Sequence, residues 1–282
     1  MANKQINELT EKSDVLVDDD LLLVWDSEEA GSEKTKKVAI SNYVVALDTT
    51  GGVNYYISPS GNDTTGDGSS GSPWATMNKA YDFLRNKVFI GDGYIYINVA
   101  DGTYTDHPAL SLTLRDAARV SIIGNVSNPE NVVFNFVSGA GYGFQTLFNG
   151  YLSIKGVTLN SQSGSVTGNA IRSAYSSSVI LQNVRITGKW LYGVFCGNNA
   201  YVAAQGVYID GPTTDGMRAD HMGIIIISTN PLTINNCTST ALWANNSSGI
   251  RVLVTPSFSG NGYNYIPALN TIGSNNSMIY NT

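Results

Sequence analysis

Charged side chains that could carry out acid–base catalysis are concentrated in one stretch, "YIDGPTTDGMRADHMG", residues 208–223. Glycoside hydrolysis uses two carboxyl groups that face each other across the sugar, whereas a lyase uses a base and a group that neutralises a uronate. Here Asp215 and Asp220 could act as acid and base, Arg218 could hold an acidic sugar, and His221 follows directly. The alternative is a polar loop between two strands, whose aspartates accept hydrogen bonds from their own backbone. Because the spacing matches no established catalytic motif, we favour the structural loop and lean against an enzyme.

Alternating oxygen donors occur in "NDTTGDG", residues 62–68, at Asp63, Thr65 and Asp67. A calcium loop of this kind is completed by a Glu that binds the ion through both carboxylate oxygens, but Trp74 occupies that place. We therefore predict a plain turn here, with no metal site and no cofactor.

Aromatic side chains offer a second kind of sugar contact, because Tyr and Trp present flat apolar faces at a small entropic cost. Trp190 and Tyr192, in "GKWLYG" between two predicted strands, are the first choice for glycan binding. Trp243 and Tyr208 are further candidates. Other aromatic side chains are expected to pack internally or against neighbouring chains.

Charge is distributed unevenly along the 282 residues, and this limits the partners that we expect. Residues 1–48 carry the whole formal net charge of −6, and residues 49–282 are neutral. A neutral body argues against nucleic acid as a partner, since phosphate binding needs a basic face. No segment has the pattern of a signal peptide or of a membrane span, so we expect synthesis in a cytoplasm. Cys196 and Cys237 lie in apolar runs and are predicted to be buried free thiols.

A single amphipathic helix is predicted near the start of the body. Ser72 is a suitable N-cap and Pro73 a suitable first helical residue. The apolar residues that follow have helical spacing, so the helix is predicted over residues 73–86. The apolar residues with this helical spacing are Met77, Ala80, Tyr81 and Leu84.

Short strands follow this helix, and four of them share a pattern of apolar residues, then Gly or Asn, then alternation. The four segments are "LSIKGVTL", "VILQNVRI", "VAAQGVYI" and "LTINNCTS". The Gly or Asn of this pattern occurs at Gly156, Asn183, Gly206 and Asn236, at spacings of 27, 23 and 30 residues. Gly and Asn suit a corner that requires positive φ. A repeat of this length is typical of a solenoid, so we prefer an all-β parallel β-helix to a β-sandwich.

Four segments are predicted along the chain. Residues 1–48 form a head segment with a β-hairpin, in which Leu22 and Val24 alternate with polar residues, as do Val38 and Ile40. Residues 49–54 are a linker, 55–255 the β-helix body, and 256–282 a C-terminal capping or tip segment. The helix at 73–86 would cover the first coil, whose open backbone groups would otherwise pair with another chain.

The stretch "YYISPSGNDTTGDGSSGSPWATMNKAYDFL", followed by "GYIYINVADGTY", resembles the start of pectate-lyase-like right-handed parallel β-helix domains, in particular those of bacteriophage tailspikes and tail fibres. The segment "INELTEKSDVLVDDDLLLVWDSEEAGSEKTKKVAISNYV" is similar to the head segment of many phage tail fibre proteins. The resemblance implies a homotrimer in the virion tail that attaches to host cell-surface polysaccharide. It also implies that the head segment docks on other tail proteins. We assign that docking to the hairpin and its acidic rim, namely Asp18, Asp19, Asp20, Leu22, Val24 and Trp25.

Three functions remain open at this stage. The protein could bind a host glycan without cutting it, cleave that glycan as a hydrolase or lyase, or link other tail proteins as a structural adaptor. The absence of a convincing carboxylate pair and the neutral, aromatic-rich body favour binding without cleavage.

Overall fold

The computed structural model describes residues 21–25, 35–39, 45–85, 87–107, 110–111, 119–136, 141–161, 168–273 and 275–281. The chain divides into two units, Met1–Ala46 and Leu47–Thr282. In the first unit β1 (Leu21–Trp25) pairs antiparallel with β2 (Thr35–Ala39), and Leu22 stands opposite Val38. This pairing is the one predicted for the head hairpin. Of the residues assigned to docking, Asp18, Asp19 and Asp20 lie outside the described residues, as do the side chains of Leu22, Val24 and Trp25.

Within the described residues, the one α-helix is α1 (Met77–Arg85), and Pro129–Asn131 form a short 3-10 helix. The strands that continue the numbering are β3 (Val45–Asp48), β4 (Val53–Ile57), β5 (Lys87–Ile90), β6 (Tyr94–Val99), β7 (Gly102–His107), β8 (Leu110–Ser111), β9 (Arg119–Ile123), β10 (Val132–Phe136), β11 (Tyr142–Thr146), β12 (Tyr151–Lys155), β13 (Thr158–Ser161), β14 (Asn169–Ala174), β15 (Ser178–Gly188), β16 (Tyr192–Gly197), β17 (Tyr201–Asp210), β18 (Asp215–Asp220), β19 (Ile224–Asn235), β20 (Thr240–Ala244), β21 (Gly249–Val252), β22 (Ser257–Ser259), β23 (Tyr263–Ile266), β24 (Thr271–Ile272) and β25 (Met278–Asn281).

Two parallel sheets form the walls of a β-helix. The first contains 14 strands, and its main path runs through β4, β6, β9, β12, β15, β17, β19, β21 and β25. The second contains 7 strands in the order β23, β20, β18, β16, β14, β11, β8. Neighbours along both paths come from successive coils and pair in parallel. The predicted all-β parallel β-helix is therefore confirmed.

The pairing register is largely regular through the middle of the body. In the first sheet Ser178 pairs with Tyr201, and Tyr201 pairs with Ile224, so the register at the start of these strands advances by 23 residues at each step. Further along β17 the register shifts, and Val207 pairs with Leu232, 25 residues away. In the second sheet Tyr192 pairs with Asp215 at the 23-residue spacing. Equivalent positions of successive coils are thus stacked directly over one another.

The predicted corner residues adopt the backbone conformation that the sequence pattern indicated. Their φ values are 62° at Gly156, 51° at Asn183, 63° at Gly206 and 54° at Asn236. The pairing register makes the first three equivalent, but Asn236 follows Asn235, the partner of Asp210, and therefore lies one corner later, in register with Gly211. The assignment of Asn236 to the same point of the repeat was wrong. The Asn183 side chain also donates a 3.0 Å hydrogen bond from Nδ2 to the carbonyl oxygen of Val126. Asn therefore tolerates positive φ and stabilises the corner through its amide.

A second corner follows the strands of the 7-stranded sheet, and there two consecutive residues have positive φ. The pairs are Phe148 and Asn149, Tyr175 and Ser176, Asn198 and Asn199, His221 and Met222, and Asn246 and Ser247. Successive corners are joined by backbone hydrogen bonds, such as the 3.0 Å bond from the Ser176 N–H to the Asn198 carbonyl oxygen. This corner places one side chain of each coil on an exposed edge.

The core consists of inward-facing side chains stacked from coil to coil. In the 7-stranded sheet these are fully buried apolar residues, each of which contributes about 1.5–3 kcal/mol to folding. They are Phe144, Ile171, Val194, Met217 and Leu242. The two cysteines are buried and free, as predicted.

The capping helix is present, but it begins four residues later than predicted, at Met77 rather than Pro73. The Thr76 hydroxyl, not Ser72, caps it by accepting a 3.2 Å hydrogen bond from the Lys79 N–H. The reason is Trp74, whose side chain is buried and whose backbone N–H donates a 3.0 Å hydrogen bond to the Tyr56 carbonyl oxygen. Pairing with β4 therefore holds this segment extended up to the cap.

The loop before the helix is a set of turns held by its own aspartates. Asp63 Oδ1 accepts hydrogen bonds from the N–H groups of Ala75, at 2.7 Å, and Thr76, at 3.1 Å. Asp67 Oδ1 accepts one from the Ser69 N–H at 2.8 Å. These carboxylates serve the turn chemistry predicted for residues 62–68.

Two predicted segment boundaries differ from the structure. Residues 49–54 are not a free linker, because Thr49 is buried, its N–H donates to the Ile90 carbonyl oxygen at 2.7 Å, and β4 begins at Val53. The solenoid also does not end at 255, since β22, β23 and β25 pair in parallel with β19, β20 and β21. The Gly or Asn pattern continues at Gly260, whose φ is 65°, but β22 has 3 residues and β23 and β25 have 4 each, and such short strands leave a weak sequence signal. Within the described residues, no helix is long and apolar enough to cross a membrane.

Candidate functional site

A row of half-buried polar and aromatic side chains crosses the outer surface of the 7-stranded sheet. Each member stands opposite the next in the pairing register, and the buried residues beside them face the core. The members are Gln145, Arg172, Phe195, Arg218 and Trp243. Because side chains alternate between the two faces of a strand, the row forms one continuous outer surface, here called the outer row.

Arg218 is the centre of the charge cluster that the sequence analysis selected. Its guanidinium carbon lies 3.3 Å from the ring centroid of Trp243 and 4.9 Å from that of Tyr192. Its Nη2 is 3.0 Å from Asp220 Oδ2, and its Nη1 is 3.5 Å from Asp215 Oδ2. The structure thus brings together four predicted residues around one arginine.

The two aspartates lie at the ends of β18 rather than on the predicted loop between strands. Asp215 and Asp220 are only 2% and 5% exposed. Asp215 Oδ1 accepts a hydrogen bond from the Thr240 N–H at 3.2 Å. Asp220 Oδ1 accepts bonds from the His221 N–H at 2.9 Å and from Asn246 Nδ2 at 2.7 Å. Both carboxylates therefore connect neighbouring coils.

The environments of the two carboxyl groups shift their pKa values in opposite directions. Burial raises the pKa of Asp215 above its ordinary value, although Arg218 partly offsets the effect. Burial also acts to raise the pKa of Asp220, but hydrogen bonds from Arg218 and Asn246 outweigh it, so the pKa of Asp220 is lowered. Divergent values occur in acid–base pairs. Here, however, both carboxylates are buried and bind the same guanidinium.

His221 occupies the corner after β18, with φ of 47°. Its side chain is 61% exposed, and its Nδ1 lies 3.1 Å from Asp220 Oδ1. The imidazole is accessible, but its nearest ionic partner is a buried carboxylate that already has three other partners.

Trp190, the first choice for a glycan contact, is fully buried, and that prediction is wrong. Its ring packs edge-on against Phe136 at 5.2 Å, and its Nε1 donates a 3.0 Å hydrogen bond to the Thr187 carbonyl oxygen. The flanking Gly and Lys suggested an exposed loop, but the indole turns inward and fills the core beside the second sheet.

The other three aromatic candidates are half-buried, and the structure separates them into two places. Tyr192 and Trp243 flank Arg218, and the Tyr192 ring also stacks on Phe195 at 6.0 Å. Tyr208 lies on β17 of the other sheet, under the guanidinium of Arg185 at 4.3 Å. Tyr192 and Trp243 can therefore contribute to one site with the outer row, and Tyr208 cannot be assigned to it.

The sequence analysis missed an exposed aromatic pair on the second corner. Phe148 and Tyr175 stack with their ring centroids 5.0 Å apart and an interplanar angle of 10°, and they are 63% and 43% exposed. Both have positive φ, which is unusual for aromatic residues. The available signal was the recurrence of an aromatic residue followed by Asn or Ser, "FN" and "YS", at a spacing of 27 residues.

An open cleft of about 580 Å³ lies elsewhere, between the loop after β4 and the first coils. Hydroxyl and amide side chains contribute to its lining, among them Ser58, Ser60, Ser70 and Asn98. None of the candidate catalytic or glycan-binding residues selected from the sequence lines it.

Comparisons with known proteins give no family assignment. No protein-family model and no curated protein matches the chain. Among solved structures, the crystal structure of the pectin methylesterase from Aspergillus niger is similar with a TM-score of 0.38 and 12% identity, and the match covers 80% of this chain and 83% of that chain. A similarity at this level carries no argument about activity. The fold assignment rests on the strand pairing.

Proposed function

We propose that the protein is a phage tail fibre or tailspike component that binds host cell-surface polysaccharide without cleaving it. The observation that carries the proposal is the outer face of the 7-stranded sheet, where Tyr192, Arg218 and Trp243 lie together. Flat aromatic rings beside hydrogen-bond donors are the usual elements of sugar recognition. The assignment to a virion rests on the sequence resemblance of the head segment and of the first coils.

Cleavage is not part of this proposal because the two candidate carboxyl groups are not available to a substrate. Asp215 and Asp220 are buried and share Arg218. A general acid and a nucleophile or base must both reach the glycosidic bond. The raised pKa of Asp215 is the observation that favours the second candidate function, a polysaccharide depolymerase.

The test is size-exclusion chromatography of purified host surface polysaccharide before and after incubation with the protein. We expect intact polysaccharide that elutes together with the protein. A shift to shorter chains would show cleavage, and Asp215→Asn would then be the next variant to assay. Intact polysaccharide that never elutes with the protein would contradict both candidates.

A double variant and a single control variant test which face binds the polysaccharide. Tyr192→Ala combined with Trp243→Ala should lower polysaccharide binding. Tyr208→Ala is the matched control, because Tyr208 is also a half-buried tyrosine under an arginine, on the other sheet. Equal losses in the double variant and in the control would argue against a site on the 7-stranded sheet.

The proposal includes a homotrimer and docking of the head segment on other tail proteins. A chain that starts at Leu47 retains the whole second unit. We expect it to fold and to bind polysaccharide but not to join particles assembled without the full-length chain. Incorporation of the truncated chain would show that docking does not require the head segment.

A further inference from the structure

Arg172 lies in the outer row two coils before Arg218, with Phe195 between them in the register. At a strand spacing of 4.8 Å the two positions are about 10 Å apart. The two arginines differ in their surroundings. Arg218 has two carboxylates, whereas the described residues provide no ion pair to Arg172.

The later part of the sequence is poor in acidic residues, in agreement with the lack of an ion pair to Arg172 among the described residues. From residue 131 to 282 the acidic residues are Asp210, Asp215 and Asp220. The last two bind Arg218, and Asp210 accepts a 2.7 Å hydrogen bond from Asn236 at a corner of the other sheet. The strands that flank Arg172, β11 and β16, contain no acidic residue.

Two neighbours hold the Arg172 guanidinium in place without neutralising it. Its carbon lies 5.0 Å from the ring centroid of Tyr142, and Nη1 donates a 3.3 Å hydrogen bond to Gln145 Oε1. An arginine stacked on an aromatic ring keeps its planar set of donors and its charge. The remaining donors suit a carboxylate, which a guanidinium can bind through two parallel hydrogen bonds.

The exposed aromatic pair belongs to the same two coils. Phe148 follows Gln145 by three residues, and Tyr175 follows Arg172 by three residues. The positive φ of Phe148 and Tyr175 is the geometry of the second corner, which recurs in the following coils, whereas among the described coils the stacked and exposed aromatic rings are specific to these two. The two coils thus present a positive charge and a stacking surface on one edge of the sheet.

We propose that Arg172, together with Tyr142, Gln145, Phe148 and Tyr175, binds the carboxylate-bearing sugar of an acidic surface polysaccharide. The inference rests on the proposed function and specifies its ligand class. It also changes the residue to which the sequence analysis gave this role, because Arg218 already has two carboxylates of the protein as partners.

The test uses the full-length chain on an array of purified bacterial capsular and O-antigen polysaccharides, each printed in its native form and in a carboxyl-reduced form. We expect binding to acidic members, loss of binding on carboxyl reduction, and an apparent affinity about tenfold lower or more for Arg172→Gln. Arg172→Lys should retain part of the binding, since it keeps the charge but not the paired donors. Arg185→Gln is the matched control, because Arg185 also lies over a tyrosine, and it should bind like the wild type.

The outcomes separate this inference from the proposed function. Binding that survives carboxyl reduction and Arg172→Gln would leave glycan binding in place and overturn the acidic-sugar site. No binding to any member would contradict both. If Phe148→Ala and Tyr175→Ala change the oligomeric state in sedimentation experiments but not the array signal, the aromatic pair is a contact between copies of the chain, and the inference fails.

Discussion

Trp190 and Trp243 provide a direct test of how the structure distinguishes core from surface. Both are tryptophans that the sequence analysis assigned to glycan binding, but Trp190 is fully buried and Trp243 is half-buried on the outer row. Replacing a buried Trp with Ala costs about 3–5 kcal/mol of unfolding free energy. For Trp190 this includes the edge-on contact with Phe136 and the indole hydrogen bond to Thr187.

Trp243→Ala removes mainly the contact with the Arg218 guanidinium, which is worth about 1–2 kcal/mol for a half-buried pair. The measurement is urea unfolding monitored by far-ultraviolet circular dichroism. Polysaccharide binding is assayed separately in the absence of urea. Trp190→Ala should lower the midpoint strongly, and Trp243→Ala should lower it less but reduce binding. Trp190→Phe keeps one buried aromatic ring but removes the N–H, at a cost of about 1 kcal/mol, and also the second ring of the indole, which leaves a cavity. Its midpoint should therefore lie between those of the wild type and Trp190→Ala.

The reasoning would be refuted if Trp190→Ala unfolded at the wild-type midpoint and lost polysaccharide binding. That result would place the Trp190 indole on the surface and the predicted glycan contact where the sequence analysis put it.

Three further predictions concern the acidic pair, the corners and the thiols. Because the pKa of Asp220 is lowered in the folded protein, its carboxylate stabilises the fold fully at pH values above the ordinary pKa of 3.8, and this stabilisation is lost as the pH falls through the pKa of the folded protein. The difference in urea midpoint between wild type and Asp220→Asn should therefore shrink as the pH is taken below 3.8. Gly206→Ala should lower stability in thermal unfolding by about 1–2 kcal/mol through positive φ alone, and by more because the new Cβ would lie 2.1 Å from Asn183 Oδ1, whereas a wild-type melting curve would contradict the corner geometry. Burial raises the pKa of the Cys196 and Cys237 thiols to about 12, so iodoacetamide at pH 8 should label them in urea but not in the native protein; fast native labelling would show that the thiols are accessible.

Much of the fold could be predicted from the sequence because local backbone requirements leave a clear signal. Gly156 and Asn183 occupy positions of positive φ, and few residue types tolerate that conformation. The start of the capping helix could not be predicted in the same way. Ser72 and Pro73 are favourable at a helix start, but pairing of the Trp74 backbone with β4 outweighs that preference.

The site was less predictable because it depends on which coils stack. Arg218 and Asp220 are close in the sequence, so their cluster was found, but its position on a strand was not. Tyr192 and Trp243 are 51 residues apart in the sequence and meet Arg218 only through the register of β16, β18 and β20. The scarcity of acidic residues after residue 130 was visible in the sequence. The placement of Arg172 between β11 and β16, neither of which contains an acidic residue, depends on the stacking of the coils and could not be read from the sequence.

The 23-residue advance from Ser178 to Tyr201 and from Tyr201 to Ile224 has a consequence for how such a chain can change in length. Removal of residues 201–223 would bring Ser178 next to Ile224 with the same inward and outward alternation, because Tyr201 holds the equivalent position in both pairings. The same operation would take away β18, and with it Asp215, Arg218 and Asp220, as one unit. Genetic loss or duplication of a single coil could therefore change the charge pattern on the outer face while the neighbouring coils keep their pairing. A lineage under selection to recognise new surfaces could then vary by whole coils as well as by point substitution.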